Sequence, residues 1–210
     1  GWSSAASVVY TRQISPSLTL KIDSLSKQMK AEGKDVIGFG AGEPDFPTPA
    51  YIKEAAKKAL DDNFTRYTPA SGMLELKKAV CARYKRKYGL NYSPEQAVIS
   101  NGAKHSLFNT FQAILNPGDE VIVISPYWLT YPELVKMADG VPVFVEASED
   151  NNFKATPEQI ESVVTEKTKA LILNSPSNPC GCVYGADALQ KIGELAVKHN
   201  FFIVSDEIYD

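Results

Sequence analysis

The sequence predicts an α/β fold, a mostly parallel sheet flanked by helices, on three observations. Short apolar, β-branched runs recur from residue 97 onward, at 97–100, 120–125, 142–145, 170–174 and 201–205. Stretches with helical spacing separate them, near 103–115, 128–138, 157–164 and 186–199. The joints carry turn and cap chemistry: Asn116-Pro117-Gly118-Asp119 before one strand, and Thr156-Pro157-Glu158-Gln159 as a cap with a capping-box glutamine. Strand–helix alternation of this kind builds a parallel sheet covered on both faces.

The elements before residue 97 are less regular. Leu18, Ile22, Leu25 and Met29 recur at helical spacing and stop at Gly33. A short strand is expected at 36–39. "GAGEPDFPTP", residues 40–49, must be a loop, since its three prolines forbid regular structure. Thr48-Pro49 is expected to cap a helix whose core face is Ile52, Ala55, Ala56 and Ala59. A loop at 63–72 leads to a helix from about Met73 to Tyr88, ended by Gly89.

The bulk composition narrows the function. Of 210 residues 44% are apolar, and 22 basic against 25 acidic residues leave a formal charge of −3. The charges are interspersed, so no basic stripe suggests nucleic acid, and no apolar run is long enough to suggest a membrane span. Cys81, Cys180 and Cys182 are an odd set with no histidine nearby, which makes neither a disulfide framework nor a zinc site. That favours a reducing, cytoplasmic compartment. The opening "GWSSAASVVYTRQIS" is rich in Ser and Ala and precedes the first acid, Asp23. It reads either as a disordered leader or as a transit-peptide remnant, which would place the protein in a plastid or mitochondrial matrix.

In open parallel sheets, ligands bind beyond the carboxyl ends of the strands. Polar and aromatic residues cluster there. Asn101-Gly102-Ala103-Lys104 joins a strand to a helix, which suits an anion cradle of free N–H groups, although an ordinary βα turn needs the same glycine. Trp128 has a flat face suited to stacking on a planar ring, or is core. "NSPSNPCG", 174–181, is a loop stiffened by prolines around two asparagines, a composition that turns also favour. Asp206 ends a buried strand, where a carboxylate is costly unless a cation meets it. It is an N-cap, a salt-bridge partner, or the partner of a protonated ring nitrogen, with Tyr209 near enough to reach the same ring. A cradle, a stacking ring, an amide and an Asp at one edge fit one cofactor, pyridoxal 5′-phosphate.

The motifs "AGEPDFPTP", "TRYTPASG", "NGAKHSLF", "PGDEVIV", "SPYWLTYPE", "NSPSNPCG" and "VSDEIYD" succeed one another over nearly the whole chain, from about Leu18 to Asp210. In that order they resemble the fold type I, class I aminotransferases, most closely the aspartate aminotransferases of the Ib subgroup. The resemblance implies an N-terminal arm or leader at 1–16, a segment of a small domain with the substrate loop at 17–48, and a large pyridoxal-phosphate-binding domain from 49 to 210. It implies phosphate contacts at Gly102, Ala103 and Lys104, a ring stack at Trp128, and hydrogen bonds from Asn178 and Tyr209 to the phenolic oxygen. It pairs Asp206 with the ring nitrogen. Gly42, Trp128 and Asn178 would face the substrate, and Tyr67 would reach the cofactor of a partner subunit in a homodimer.

Two departures stand out. Cys180 occupies the place of the family's usual threonine in Asn-Pro-Thr-Gly, so a weak thiol donor replaces a hydroxyl. The Schiff-base lysine of the family lies beyond Asp210, together with further strands and the rest of the small domain, and Lys104 belongs to the cradle helix. The 210-residue chain alone is therefore expected to be inactive, with a gapped sheet and two exposed edges. The implied reaction is transamination of an amino acid, with aspartate the expected substrate, against 2-oxoglutarate. Alanine, aromatic or prephenate aminotransferases, β-lyases and a non-catalytic binding module are the alternatives. A dehydrogenase is rejected: Gly38, Gly40 and Gly42 lack the dinucleotide spacing, and Pro44 and Pro47 prevent the helix such a loop must open.

Overall fold

A computed structural model describes residue 15 and residues 17–40, 42 and 44–209 of the chain. The leader at 1–14 and two residues of the "AGEP" motif lie outside the described residues. The described chain forms two compact units, one spanning Ser17–Ser100 and the other built from residue 101 onward.

The unit at 17–100 contains, among the described residues, three α-helices, α1 (Leu18–Ala31), α2 (Ala50–Asp61) and α3 (Leu74–Tyr88), and a 3-10 turn at Pro94–Gln96. Ser17 caps α1, accepting from the Leu20 N–H at 3.4 Å. Gly89 ends α3 with φ +72, the left-handed conformation that suits a glycine after a helix. Three expectations are corrected here. Residues 36–39 form no strand. Thr48 does not cap α2; Pro49 stands at the cap position, and no side chain caps the helix. The expected core face of α2 buries nothing among the described residues.

The expected strand at 97–100 is also absent. Ala97 is extended, but a strand needs a neighbouring strand to complete its ladder, and none pairs with it among the described residues. The Ile99 N–H instead donates to the Ser71 carbonyl at 3.0 Å. That approach requires glycine at position 72: its φ is +100, and a Cβ there would stand 2.5 Å from Ile99 Cγ1.

The second unit carries the sheet. Its strands are β1 (Glu120–Ser125), β2 (Val141–Glu146), β3 (Thr168–Asn174) and β4 (Phe202–Asp206). They run parallel in the order β2-β1-β3-β4. The helices are α4 (Ala103–Ile114), α5 (Thr130–Met137), α6 (Pro157–Glu161) and α7 (Ala186–His199). The turn at 116–119 closes as expected, Asn116 N–H donating to Asp119 Oδ2 at 2.8 Å. The Thr156–Gln159 capping box opens α6.

Burial on both faces explains why β1 and β3 read as continuous apolar runs rather than alternating ones. Side chains of successive residues point to opposite faces. Val121 and Val123 of β1 pack with Ala170 and Ile172 of β3, Leu107 and Phe111 of α4, and Leu134 and Val135 of α5. Ile122, Leu171 and Leu173 point the other way, toward Ile160 of α6 and Ile192 and Leu195 of α7. The register Val121↔Ala170 and Ile122↔Leu171 keeps the two sets separate. The edges are β2 and β4, and Phe202 on β4 is 54% exposed.

β1 connects outward to β2, whereas β3 pairs with the opposite side of β1. The order therefore reverses between β1 and β3, and in open α/β sheets the crevice at such a reversal is where ligands bind.

Candidate active site

At the carboxyl ends of β1, β3 and β4 lies a cleft of about 320 Å³, within the size range of small-molecule sites. It is lined by Gly102, Ala103, Lys104, Trp128, Tyr131, Asn174, Asn178, Asp206, Ile208 and Tyr209. All seven cofactor residues expected from this half of the sequence meet there.

Each arrives from a different local cause. Gly102 precedes α4 with φ +82 and ψ 166, a conformation open essentially to glycine alone. That bend aims the start of a 12-residue helix at the cleft. The first N–H groups of a helix have no acceptor within it, and Ala103 and Lys104, the first two residues of α4, line the cleft. Lys104 Nζ lies 5.2 Å from the centroid of the Trp128 ring, within cation–π range.

Trp128 sits between β1 and α5, beyond Pro126. Its ring meets Tyr131 edge-on, with centroids 5.4 Å apart and an interplanar angle of 86°. Trp128 also lines the cleft.

Asn174, the last residue of β3, is the joint of the site. Its Nδ2 donates to the Asp206 backbone carbonyl at 2.8 Å, and its Oδ1 accepts from the Asn178 N–H at 2.7 Å. One amide thus ties the end of β4 to the loop carrying Asn178. That loop is closed by Gly181 N–H donating to Ser177 O at 2.7 Å and by Ser177 N–H donating to Cys182 O at 3.0 Å. Cys180 does not disturb these bonds; burial and the nearby Cys182 push its thiol above the usual cysteine range.

Asp206 is partly buried at the end of β4. From the sequence, a cation, an N-cap or a salt bridge is expected to meet it. Among the described residues the structure shows a neutral donor. Tyr131 Oη donates to Oδ2 at 2.7 Å, and the Ile208 N–H donates to Oδ1 at 3.2 Å. Burial first, and then the Asp206 carboxylate, raise the Tyr131 phenol far above the usual tyrosine range. It therefore stays protonated and acts as a fixed hydrogen-bond donor.

Tyr131 has no role in the sequence reading, although it lies within the motif "SPYWLTYPE". The available signal was a tyrosine one helical turn past Trp128 at the ligand-binding edge. Asn174 falls at that edge in the sequence but without a role. Gly42 and Tyr67 belong to the unit at 17–100, where both are exposed. The cleft does not include them.

The donor set fits pyridoxal phosphate on its chemistry. Amides at a helix start suit the phosphate, the Trp128 ring suits stacking, and the Asp206 side chain suits a protonated ring nitrogen. Asn178 and Tyr209 are the hydrogen-bonding groups left for the phenolic oxygen. No group of three or more metal-ligating side chains occurs among the described residues.

Known proteins are similar to this chain in sequence and in backbone. The family profile described as "Aminotransferase class I and II" matches residues 34–210. An aspartate aminotransferase of Bacillus subtilis is 49% identical over 197 residues, 94% of this chain and 50% of the relative. That of Geobacillus stearothermophilus is 51% identical over the same shares. An aspartate/prephenate aminotransferase of Thermus thermophilus is 46% identical over 93% of this chain and 51% of its own length. Among solved structures, Thermus thermophilus aspartate aminotransferase with maleate superposes with a TM-score of 0.92 at 45% identity, covering 95% of this chain and 52% of that one. The chain therefore spans about half the length of the relatives it matches.

Proposed function

The chain belongs to the class I and II aminotransferases, and on that premise we propose that the protein carrying it moves the amino group of aspartate to 2-oxoglutarate. The family depends on pyridoxal phosphate, which supplies an electron sink for the substrate Cα and a carrier for the amino group. The observation that carries the reading is the convergence of the α4 amides, Trp128, Asn178, Asp206 and Tyr209 on one cleft.

In this reading each side chain has a defined task. The Ala103 and Lys104 amides and the positive end of α4 hold the phosphate. Trp128 covers one ring face and keeps water from it. Asp206 would hold the proton on the ring nitrogen. Asn178 and Tyr209 orient the ring through its phenolic oxygen. Gly42 presents its backbone to the substrate carboxylate, and Tyr67 serves the site of a second subunit in a homodimer. The compartment is the cytoplasm.

A second reading has a specific basis: relatives at 44 to 47% identity are named aspartate/prephenate aminotransferases. Prephenate then replaces 2-oxoglutarate as acceptor at the same site.

The test uses the full-length protein loaded with pyridoxal phosphate. Aspartate with 2-oxoglutarate should yield oxaloacetate, detected by coupled oxidation of NADH. Turnover with prephenate and not 2-oxoglutarate supports the second reading. Cofactor uptake without turnover of any amino donor tried, aspartate, alanine, phenylalanine and cystathionine included, overturns both in favour of a binding module.

A further inference from the structure

The Asp206 carboxylate has to meet a ring nitrogen at one angle, yet it stands at the end of an edge strand whose flanking residues Ser205 and Glu207 are exposed. Something must stop it rotating. We propose that Tyr131 is the positioning residue for Asp206, its hydroxyl holding Oδ2 while the Ile208 amide holds Oδ1, so that the carboxylate faces the cleft in a single orientation. The proposal rests on the aminotransferase reading for its consequence, and on the geometry alone for the pairing.

Tyr131 is 3% exposed, and its ring belongs to the core formed with Val121, Val123 and Leu134. Phenylalanine would fill that space equally well. The hydroxyl is needed only for the contact it makes, which reaches 75 residues along the chain to Asp206 at 2.7 Å. A hydroxyl donor in a buried setting stabilises the charged form of a carboxylate. The donor does not compete for the negative charge, because burial and Asp206 together keep the phenol protonated. Asp206 and Tyr209 are the ionisable groups whose charges act on Tyr131, and Lys104 lies over the adjoining Trp128 ring. The edge-on Trp128 contact also makes Tyr131 a brace for the ring-stacking residue, so one side chain supports two groups of the site.

The experiment compares wild type, Tyr131→Phe, Asp206→Asn and the double variant in the full-length protein. Tyr131→Phe should still take up pyridoxal phosphate. Its turnover should fall about tenfold, as for loss of a hydrogen bond to a charged group, while KM for the amino donor changes less than about threefold. The pH midpoint of the bound cofactor's visible band should shift by about half a unit or more. In the Asp206→Asn background the same substitution should change turnover less than about twofold. An undiminished effect in that background, or no effect in wild type, overturns the proposal.

Two further measurements cover other failures. If Tyr131→Phe does not fold, 3-fluorotyrosine at position 131 keeps the ring and hydroxyl but donates more strongly. It should move the band midpoint, and an unmoved midpoint overturns the proposal. Urea unfolding of the cofactor-free proteins should show the two single substitutions to be non-additive. Additivity overturns the pairing whether or not cofactor binds. Failure of the wild type to take up cofactor counts against the aminotransferase reading and leaves that last result to decide the pairing.

Discussion

Gly102→Ala isolates how much of cofactor binding is held in one backbone angle. Gly102 has φ +82 and ψ 166, and a Cβ added there would meet no atom within 4 Å. The cost of the substitution is therefore conformational and not steric, about 1–3 kcal/mol for holding a non-glycine residue in that region. The protein has two ways to respond. If the backbone holds its angle, the strain appears as lost stability of about 1–3 kcal/mol, read by urea unfolding of the cofactor-free full-length protein. If the backbone relaxes, the Ala103 and Lys104 amides turn from the cleft, and pyridoxal phosphate affinity falls about 5- to 150-fold over the same energy range. Fluorescence titration with the cofactor reads the second response. Gly118→Ala is the control, since Gly118 also has positive φ, +86, but precedes β1 at the end of the sheet away from the cleft. It should lower stability and leave cofactor affinity unchanged. Unaltered stability together with unaltered affinity in Gly102→Ala would refute the argument, as would an equal affinity loss in the control.

Three other outcomes are expected from the same geometry. Asp206→Ala should leave a folded full-length protein that turns over about a hundredfold more slowly or worse in the coupled assay, and near-normal turnover would sink its assignment to the ring nitrogen. Phe111, fully buried between α4 and the sheet, should cost about 3–5 kcal/mol when replaced by alanine, measured as a shifted urea midpoint. Burial pushes the Tyr184 phenol up to about 12, while its oxygen accepts from the Ala155 N–H at 2.8 Å. A phenol raised in the folded state contributes stability that is fully present below its unfolded value near 10 and is lost as pH rises from there through about 12. Tyr184→Phe should therefore be less stable at neutral pH, because the Ala155 donor is orphaned, and should lose less further stability across that alkaline window in thermal melts.

Much of this protein was legible in its sequence because the signals are local. Apolar runs set β1 to β4, and turn residues such as Asn116 to Asp119 and the Thr156 box marked their joints. Parallel strands put their carboxyl ends on one edge, so the residues immediately past the strands are neighbours in space even when they are distant in the chain. That is why Trp128, Asn178, Asp206 and Tyr209 could be grouped from the sequence, whereas Gly102 joins them as the start of α4 and not as the end of the strand expected at 97–100. Where the reasoning failed, the element needed a partner. Residues 36–39 and 97–100 have strand-like letters, but a strand exists only as part of a ladder, and no ladder reaches them among the described residues. The face of Ile52 and Ala59 reads as core, but periodicity does not supply what should cover it.

What the sequence determined by itself was the order of the elements, the ligand-binding edge and the chemistry gathered there, since each depends on residues near one another in the chain. Only the tertiary structure decided how that chemistry is held. Tyr131 meets Asp206 across 75 residues, and Asn174 joins Asp206 to Asn178. Those bonds depend on β1, β3 and β4 lying side by side in register. A carboxylate for which the sequence suggests an N-cap, a salt bridge or a protonated ring nitrogen proves to be met by a buried phenol, because sheet pairing brings a distant hydroxyl within hydrogen-bond reach.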